Sequence, residues 1–294
     1  MKKVLSDKVA ITLFVLPGIL IFLFIFIYPI FYTVDLGFTS WRGMGEKEYV
    51  FLDNYIQLFT KDEVFRKSVL NTLLILVIVP VGQLVPALFF TLLIGNVKGK
   101  TRFFRIAFFI PVLMSSTAIA LMWQEIYDVN YGLLNDLLDF LRLSGLKHEW
   151  LTEEATCLIA ALIPIIWQWM GYYMVIMYAG MKGIPEQYME AARLDGANSL
   201  QVTTRIILPM MQDVLKVCVV LSVVGSIKTF DNIYVMTGGG PYNLTITIAI
   251  DMYKEAFLKM NYGYGSAIAI ILCIICVGVY LLINKLMTRE ALEY

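Results

Sequence analysis

The chain is poor in the residues that do chemistry. It has one histidine and four cysteines in 294 residues. His148 stands beside Glu149 and Trp150 and reads as a surface residue, since no second ligand or acid–base partner accompanies it. No paired acids or metal cluster lie within the apolar segments, so a membrane enzyme lacks its parts. No Gly-Lys-Ser/Thr phosphate loop exists, which excludes ATP hydrolysis by this chain alone. Gly238-Gly239-Gly240-Pro241 does not replace it; the run follows an apolar segment, has no Lys-Ser/Thr after it, and reads as a tight turn on the outer side. Cys157, Cys218, Cys273 and Cys276 all lie in apolar runs. Cys273-x-x-Cys276 has no His or acid nearby, so buried apolar thiols are the expectation for all four. Net charge is also missing: 23 basic residues balance 23 acidic ones, which leaves charge placement as the signal.

What the chain does have is apolar length. It is 59% hydrophobic with mean hydropathy +0.74, too apolar for a soluble domain of this size. A helix needs about 20 apolar residues to cross the hydrocarbon core. Six segments qualify: Ile11 to Val34, Val69 to Ile94, Phe103 to Trp123, Ala155 to Met177, Val214 to Met236, and Ala267 to Ile283. They must be helical, because lipid offers no partner to unpaired backbone groups. The first is too long for a signal-peptide core and lacks a small-residue cleavage site, so it is expected to be retained. Lys and Arg placement sets the orientation. Lys98, Lys100, Arg102 and Arg105 precede the third segment without an acid among them. Glu125, Asp128, Asp136, Asp139, Glu149, Glu153 and Glu154 follow it. Lys2, Lys3, Lys8, Lys182, Arg193, Arg205, Lys216, Lys285 and Arg289 fall on the same side as the first group. Both termini and the polar stretch around residue 195 are therefore expected in the cytoplasm.

That polar stretch is the most informative part of the chain. Pro185-Glu186 reads as a helix start, with Pro at the first helical position and an acid at the positive dipole end. Ile184, Tyr188, Ala191 and Ala192 then share one helical face, with Glu186, Glu190 and Arg193 turned away. Gly196 suits a left-handed helix end. Asn198 with Gln201 has capping-box spacing for a second helix, which Pro209 closes. The bland reading is an amphipathic hairpin lying on the membrane surface.

The spacing carries more than that. Glu190-Ala191-Ala192, three residues, Gly196, nine residues, Ile206, one residue, Leu208-Pro209 resembles, without departure, the signature loop of binding-protein-dependent ABC-transporter permeases. Further stretches resemble the carbohydrate-uptake branch of that family, of the maltose, glycerol-phosphate and multiple-sugar type. These are Thr229 through Pro241, Leu52-Asp53-Asn54-Tyr55, Gly132-Leu133-Leu134-Asn135, and Tyr262-Gly263-Tyr264-Gly265-Ser266-Ala267. The resemblance runs from Leu16 to Leu286. It departs from the maltose permease in having no large external insertion between Asp35 and Arg66 and no extra N-terminal spans.

The resemblance implies an all-α polytopic membrane protein with six transmembrane helices and the type I ABC importer permease fold. Residues 1–10 would be a cytoplasmic tail, 11–66 the first span and its external loop, 67–286 the permease core with a coupling hairpin at 183–209, and 287–294 a second cytoplasmic tail. The implied partners are a second homologous permease forming a heterodimer, two ATPase subunits, an extracytoplasmic solute-binding protein, a sugar and the bilayer, with no nucleic acid. ATP and Mg would be bound by the ATPase subunits, and no cofactor by this chain. Glu190, Ala191, Ala192, Gly196, Leu208 and Pro209 would couple to the ATPase, Glu190 making the charged contact. Rival classes are a permease for an amino acid or phosphate and an ion-coupled secondary transporter. The latter needs no coupling hairpin and shows inverted repeats, and no convincing repeat is present.

Polar groups within a span are costly and are functional candidates by default. Trp167, Gln168, Trp169, Tyr172 and Tyr173 cluster in the fourth segment; aromatic faces stack on sugar rings while amides and hydroxyls read their OH groups. Tyr178, nearer the end, suits an interfacial aromatic belt. Lys228 and Asp231 lie one turn apart in the fifth segment and are placed either to pair with each other or to face the pathway. Ser115, Ser116 and Thr117 suit helix back-bonding, close packing or the pathway. By resemblance to the maltose-type permease, Ser116, Trp169, Tyr172 and Lys228 stand at or beside sugar-contacting positions, and Gln168 and Asp231 join them as pathway candidates.

Overall fold

The structure is a computed structural model that describes residues 8–95 and 101–287. Lys2, Lys3, Lys98, Lys100 and Arg289 of the charge argument lie outside the described residues, as do most of the expected N-terminal tail and residues 288–294. Along the chain the helices are α1 (Lys8–Phe22), α2 (Tyr28–Gly37), α3 (Asp53–Thr60), α4 (Glu63–Gly95), α5 (Arg102–Phe109), α6 (Ser116–Ile126), α7 (Leu133–Phe140) and α8 (Cys157–Lys182). Then follow α9 (Glu186–Leu194), α10 (Ser199–Val202), α11 (Leu208–Met210), α12 (Gln212–Ile227), α13 (Asp231–Thr237), α14 (Ile248–Tyr253) and α15 (Tyr262–Leu286). A two-residue ribbon, β1 (Thr39–Ser40) against β2 (Glu48–Tyr49), is the one exception to an all-helical fold among the described residues.

Four helical runs are long and apolar enough to cross a membrane: Ile11–Gly37, Glu63–Gly95, Cys157–Lys182 and Tyr262–Leu286. The other two expected segments are not straight. Arg102–Leu113 and Ser116–Ile126 meet at 96°, and Ser199–Met210 and Gln212–Thr237 at 68°. The first bend has a local cause. Pro111 enters a tight turn over Ile110–Leu113, and Met114 and Ser115 are then extended, with ψ of 146° and 136°. Proline supplies no N–H to the helical ladder, so the chain restarts at α6 with Ser115 as its N-cap. The expected fifth segment is further divided between α12 and α13 at Lys228–Phe230, so Lys228 and Asp231 do not sit on one continuous helix turn.

The chain divides into two compact units. One holds the described residues up to Arg66 together with Asp251–Ile274. In it the buried Asn54 side chain donates to Gly37 O and Thr39 O, both at 3.0 Å, and pins the ribbon to the start of α3. Tyr264 Oη donates to Asp62 at 2.7 Å, and Lys259 pairs with Glu255. Burial, and then the neighbouring Asp62 and Glu255 charges, push the Asp251 carboxyl up to about 7. A raised carboxyl binds more protons folded than unfolded, so its stabilisation is complete at acid pH and is lost as pH rises through about 7.

The second unit holds Lys67–Ile250 and residues from Ile275 onward. Its core joins Ala87 and Ile94 of α4, Met174 and Met177 of α8, Cys218 of α12, and Val202, Ile207 and Met211 from the 199–211 stretch. In lipid, apolar burial between helices gains little transfer energy, and close packing with interhelical hydrogen bonds does the holding. Gly171 shows how close the packing is: a Cβ there would lie 1.7 Å from Phe108 O. Thr91 Oγ1 donates to Met174 O at 3.2 Å, tying α4 to α8. The cysteines split. Cys157 and Cys218 are buried, but Cys273 is exposed and Cys276 half-buried, because α15 beyond Ile271 turns most of its surface outward.

Candidate functional site

Within this second unit a cavity of about 390 Å³ opens between α4, α6, α8 and the α12–α13 break. From α8 come Ile165, Trp169, Tyr172 and Tyr173, spaced to share one helical face. The Trp169 and Tyr172 rings meet edge-on at 5.8 Å, and Tyr172 and Tyr173 at 5.3 Å. Ser116, the first residue of α6, enters from the Pro111 bend, and Lys228 and Asp231 enter from the second break. Trp167 points elsewhere, its ring meeting that of Trp123 at 6.1 Å.

Gln168 is buried behind the wall. Its Nε2 donates to Met114 O at 3.1 Å and its Oε1 accepts from Asn232 Nδ2 at 3.4 Å. One side chain thereby supports both helix breaks. Among the described residues Lys228 makes no ion pair, with Asp231 or any other acid. Both side chains are exposed to the cavity or its mouth.

Sequence reasoning missed part of the wall. Gln83 of α4, Ser222 and Ser226 of α12, and Thr229, Phe230 and Asn232 also line the cavity. Ser222 Oγ donates to Gln83 Oε1 at 2.6 Å, and Gln83 Nε2 donates to Ile165 O at 3.3 Å. The signal was present, since Gln83 is a lone amide between Pro80 and Pro86 in a span, and the rule that flagged Gln168 applies to it equally. Asn232 Oδ1 is buried at the wall and has no hydrogen-bond partner among the described residues. Tyr178 is also not the belt residue expected. It is buried, its hydroxyl lies 3.2 Å from Thr101 Oγ1, and the Arg105 guanidinium stacks 4.9 Å from its ring centre.

The second candidate element is the hairpin formed by α9 and α10. Pro185 is the N-cap and Glu186 the first helical residue, one position later than the sequence signal. Ala197 N donates to Ala192 O at 2.9 Å, Gly196 N to Arg193 O at 3.1 Å, and Gly196 has φ of +86°. This is a Schellman end, and it explains the Ala-x-x-x-Gly spacing: the alanine carbonyl and the left-handed glycine are its two fixed points. Asn198 and Gln201 form a reciprocal capping box, at 2.9 and 2.8 Å. Pro209 does not close the second helix. A wide turn over Thr203–Ile207 leads into α11, and Pro209 sits in its first turn, where its missing N–H is tolerated.

The hairpin packs on the core through Ile184, Met189, Ala192 and Ala197. Tyr188 and Ala191, expected on that face, are exposed instead. Leu194 and Leu200 are 89% and 72% exposed at the tip, and Glu190 is exposed with no ion pair among the described residues. Leu208 is partly buried.

Four apolar helices long enough to cross a membrane, with two bent apolar pairs beside a cavity, define a polytopic helical membrane protein. The chain belongs to the family of binding-protein-dependent transport system inner membrane components, whose pattern it matches over residues 5–289. It is thus a multi-pass protein of the prokaryotic inner membrane. It is similar to the diacetylchitobiose uptake system permease protein NgcF of Streptomyces coelicolor, 31% identical over 97% of this chain and 85% of that one. It is also similar to the multiple sugar-binding transport system permease protein MsmF of Streptococcus mutans, 32% identical over 93% of each. Its fold matches a chain of a bacterial alginate ABC transporter solved in complex with an alginate pentasaccharide-bound periplasmic protein. The TM-score is 0.84 and the identity 21%, over 99% of this chain and 98% of that one.

Proposed function

We propose that this chain is a permease subunit of an ATP-driven ABC importer for sugars. It crosses the membrane six times, each bent pair counting as one span, with both termini in the cytoplasm. An extracytoplasmic solute-binding protein delivers the sugar to this permease and to a second, homologous one, and the pair encloses the pathway. Two ATPase subunits, which bind ATP and Mg, close on each other and move the 183–209 hairpin. That motion switches the permease pair between inward-open and outward-open packings. The chain itself holds no cofactor and carries out no catalysis.

The observation that carries this reading is the cavity. Its wall combines the flat faces of Trp169 and Tyr172 with the hydroxyls of Ser116 and Ser226 and an acceptor at Asn232 that has no partner among the described residues. Such a wall suits a ligand with apolar ring faces and hydroxyl edges. The names of NgcF and MsmF agree with that chemistry. The hairpin supports the coupling part. Its exposed Leu194, Leu200 and Glu190 are what a docking tip presents, and the Schellman end holds them in a fixed frame. A second reading, a sugar bearing an acidic group, is favoured by Lys228, which lines the cavity without an ion pair among the described residues.

The test is uptake of labelled oligosaccharides by proteoliposomes containing the chain together with its second permease, ATPase subunits and binding protein. ATP-dependent uptake that Tyr172→Ala lowers supports the reading. Uptake of an amino acid or phosphate in place of every sugar tried overturns the substrate class, and uptake without ATP overturns the mechanism.

A further inference from the structure

A second cavity, of about 470 Å³, lies on the outer face of α5, away from the cavity described above. Arg102 and Arg105 stand at one end of it, Phe109 and Ile110 follow along the same helical stripe, Leu113 is at the other end, and Val175 of α8 forms the facing wall. Ile110 and Leu113 are 52% and 75% exposed. Neither arginine makes an ion pair among the described residues. Arg105 is held in place by stacking on Tyr178, and its Nε is buried without a hydrogen-bond partner among the described residues.

Two guanidinium groups with no acid paired to them among the described residues, at the mouth of an apolar groove, ask for an anion with a hydrocarbon tail. The length agrees. From Arg102 to Leu113, eight residues of α-helix followed by a tighter turn rise roughly 18 Å. One leaflet is about half of a 30 Å hydrocarbon core, so a chain whose head meets the arginines ends near Leu113 at the bilayer centre. Basic pockets between transmembrane helices at a membrane surface are sites for anionic head groups. We infer that this groove is a binding site for one anionic phospholipid, its phosphate on Arg102 and Arg105 and an acyl chain along Phe109, Ile110 and Leu113. With the orientation proposed above, the lipid belongs to the cytoplasmic leaflet. The site itself does not depend on the identity of the transported solute.

The test uses the full chain in phosphatidylcholine nanodiscs doped with a phosphatidylglycerol that carries a photoactivatable group near the end of one acyl chain. Labelling should fall on the peptide containing Ile110 and Leu113. Unlabelled phosphatidylglycerol should compete roughly thirtyfold better than phosphatidylcholine, the preference two surface charges confer. R102Q/R105Q should lower labelling about thirtyfold and R102K/R105K should restore most of it. Leu113→Trp fills the exposed tail end and leaves both charges and the packed core in place. It should cut labelling even if R102Q/R105Q folds poorly. Equal competition by phosphatidylcholine, full labelling of R102Q/R105Q, or competition by inorganic phosphate alone overturns the proposal. Loss of labelling on co-expression with the second permease also overturns it, by showing that protein covers the groove.

Discussion

At the cavity and at the hairpin the helical backbone is interrupted, and the two places repair the interruption differently. The breaks at Met114–Ser115 and Lys228–Phe230 are supported from other helices, with Gln168 of α8 accepting from Asn232 and donating to Met114 O. The hairpin is repaired by its own chain within six residues, through Ala192 O, Arg193 O and the left-handed Gly196. A repair that borrows from neighbours is embedded and moves when they move. A local repair keeps its shape while the element as a whole is pushed. The first suits a site whose walls rearrange, and the second suits a lever.

The sharpest way to break that comparison is to damage the lever without touching the cavity. Nothing lies within 4 Å of a Cβ placed on Gly196, so Gly196→Val meets no clash and costs only the strain of holding a β-branched residue at φ +86°. That strain is about 1–3 kcal/mol and local to the hairpin. Uptake by the reconstituted complex should drop to background while sugar still binds the permease pair. Glu190→Ala should do the same, at least a hundredfold, with unchanged melting of the isolated chain, because Glu190 is exposed and unpaired among the described residues. Normal uptake with a normal ATPase rate in either variant removes the hairpin from coupling.

Next in size is damage to the cavity with the lever intact. Tyr172→Ala removes one aromatic wall whose ring meets both Trp169 and Tyr173. A stacking contact of this kind contributes about 0.5–1.5 kcal/mol, so uptake should fall up to tenfold. Co-purification of the ATPase subunits should be unaffected. A variant that loses the ATPase and keeps sugar binding would reverse the assignment of the two regions.

The two regions also differ in how far they were readable from sequence. A local repair leaves a local trace. Ala192, Gly196, Asn198 and Gln201 sit at the offsets their hydrogen bonds demand, and the structure forms those bonds. The face that packs was read less well, because Met189, and not Tyr188, meets the core once Pro185 becomes the cap. The non-local repairs left only scattered polar residues. Trp169, Tyr172 and Ser116 stood out by type, and Gln83 is legible as a lone amide in a span, but its pairing with Ser222 emerges only when α4 and α12 bring them to 2.6 Å. The bends of 96° and 68° were likewise hidden, since hydropathy sums over a window and is blind to direction. Pro111 was the single visible mark of the first.

Lys228 tests whether the cavity wall reads charge. With no ion pair to Asp231 among the described residues, its removal leaves no newly orphaned acid, and stability should hold. A charged hydrogen bond contributes about 1.5–3 kcal/mol. Lys228→Asn should therefore lower uptake of a uronate or sugar phosphate about tenfold relative to a neutral sugar of the same size. An unchanged ranking together with a lowered melting temperature would make Lys228 a structural partner of Asp231 after all.

The smallest effect concerns the hydrogen bond that joins α4 to α12 beside the cavity. Ser222 Oγ to Gln83 Oε1 is buried and short, 2.6 Å, and in water such a bond would be expected to matter by about 1 kcal/mol. Between transmembrane helices the measured coupling averages only about 0.6 kcal/mol, because the separated helices find other partners in the membrane. Single substitutions mix this coupling with lost packing, so the informative measurement is a double-mutant cycle of Gln83→Leu and Ser222→Ala on the purified chain in detergent. The coupling should come out near 0.6 kcal/mol and below about 1.7. A value near zero would mean that α4 and α12 are held by packing alone. A value well above 2 kcal/mol would mean that this bond is enclosed as tightly as the Gln168 supports, and that the cavity wall is more rigid than the alternating site proposed above allows.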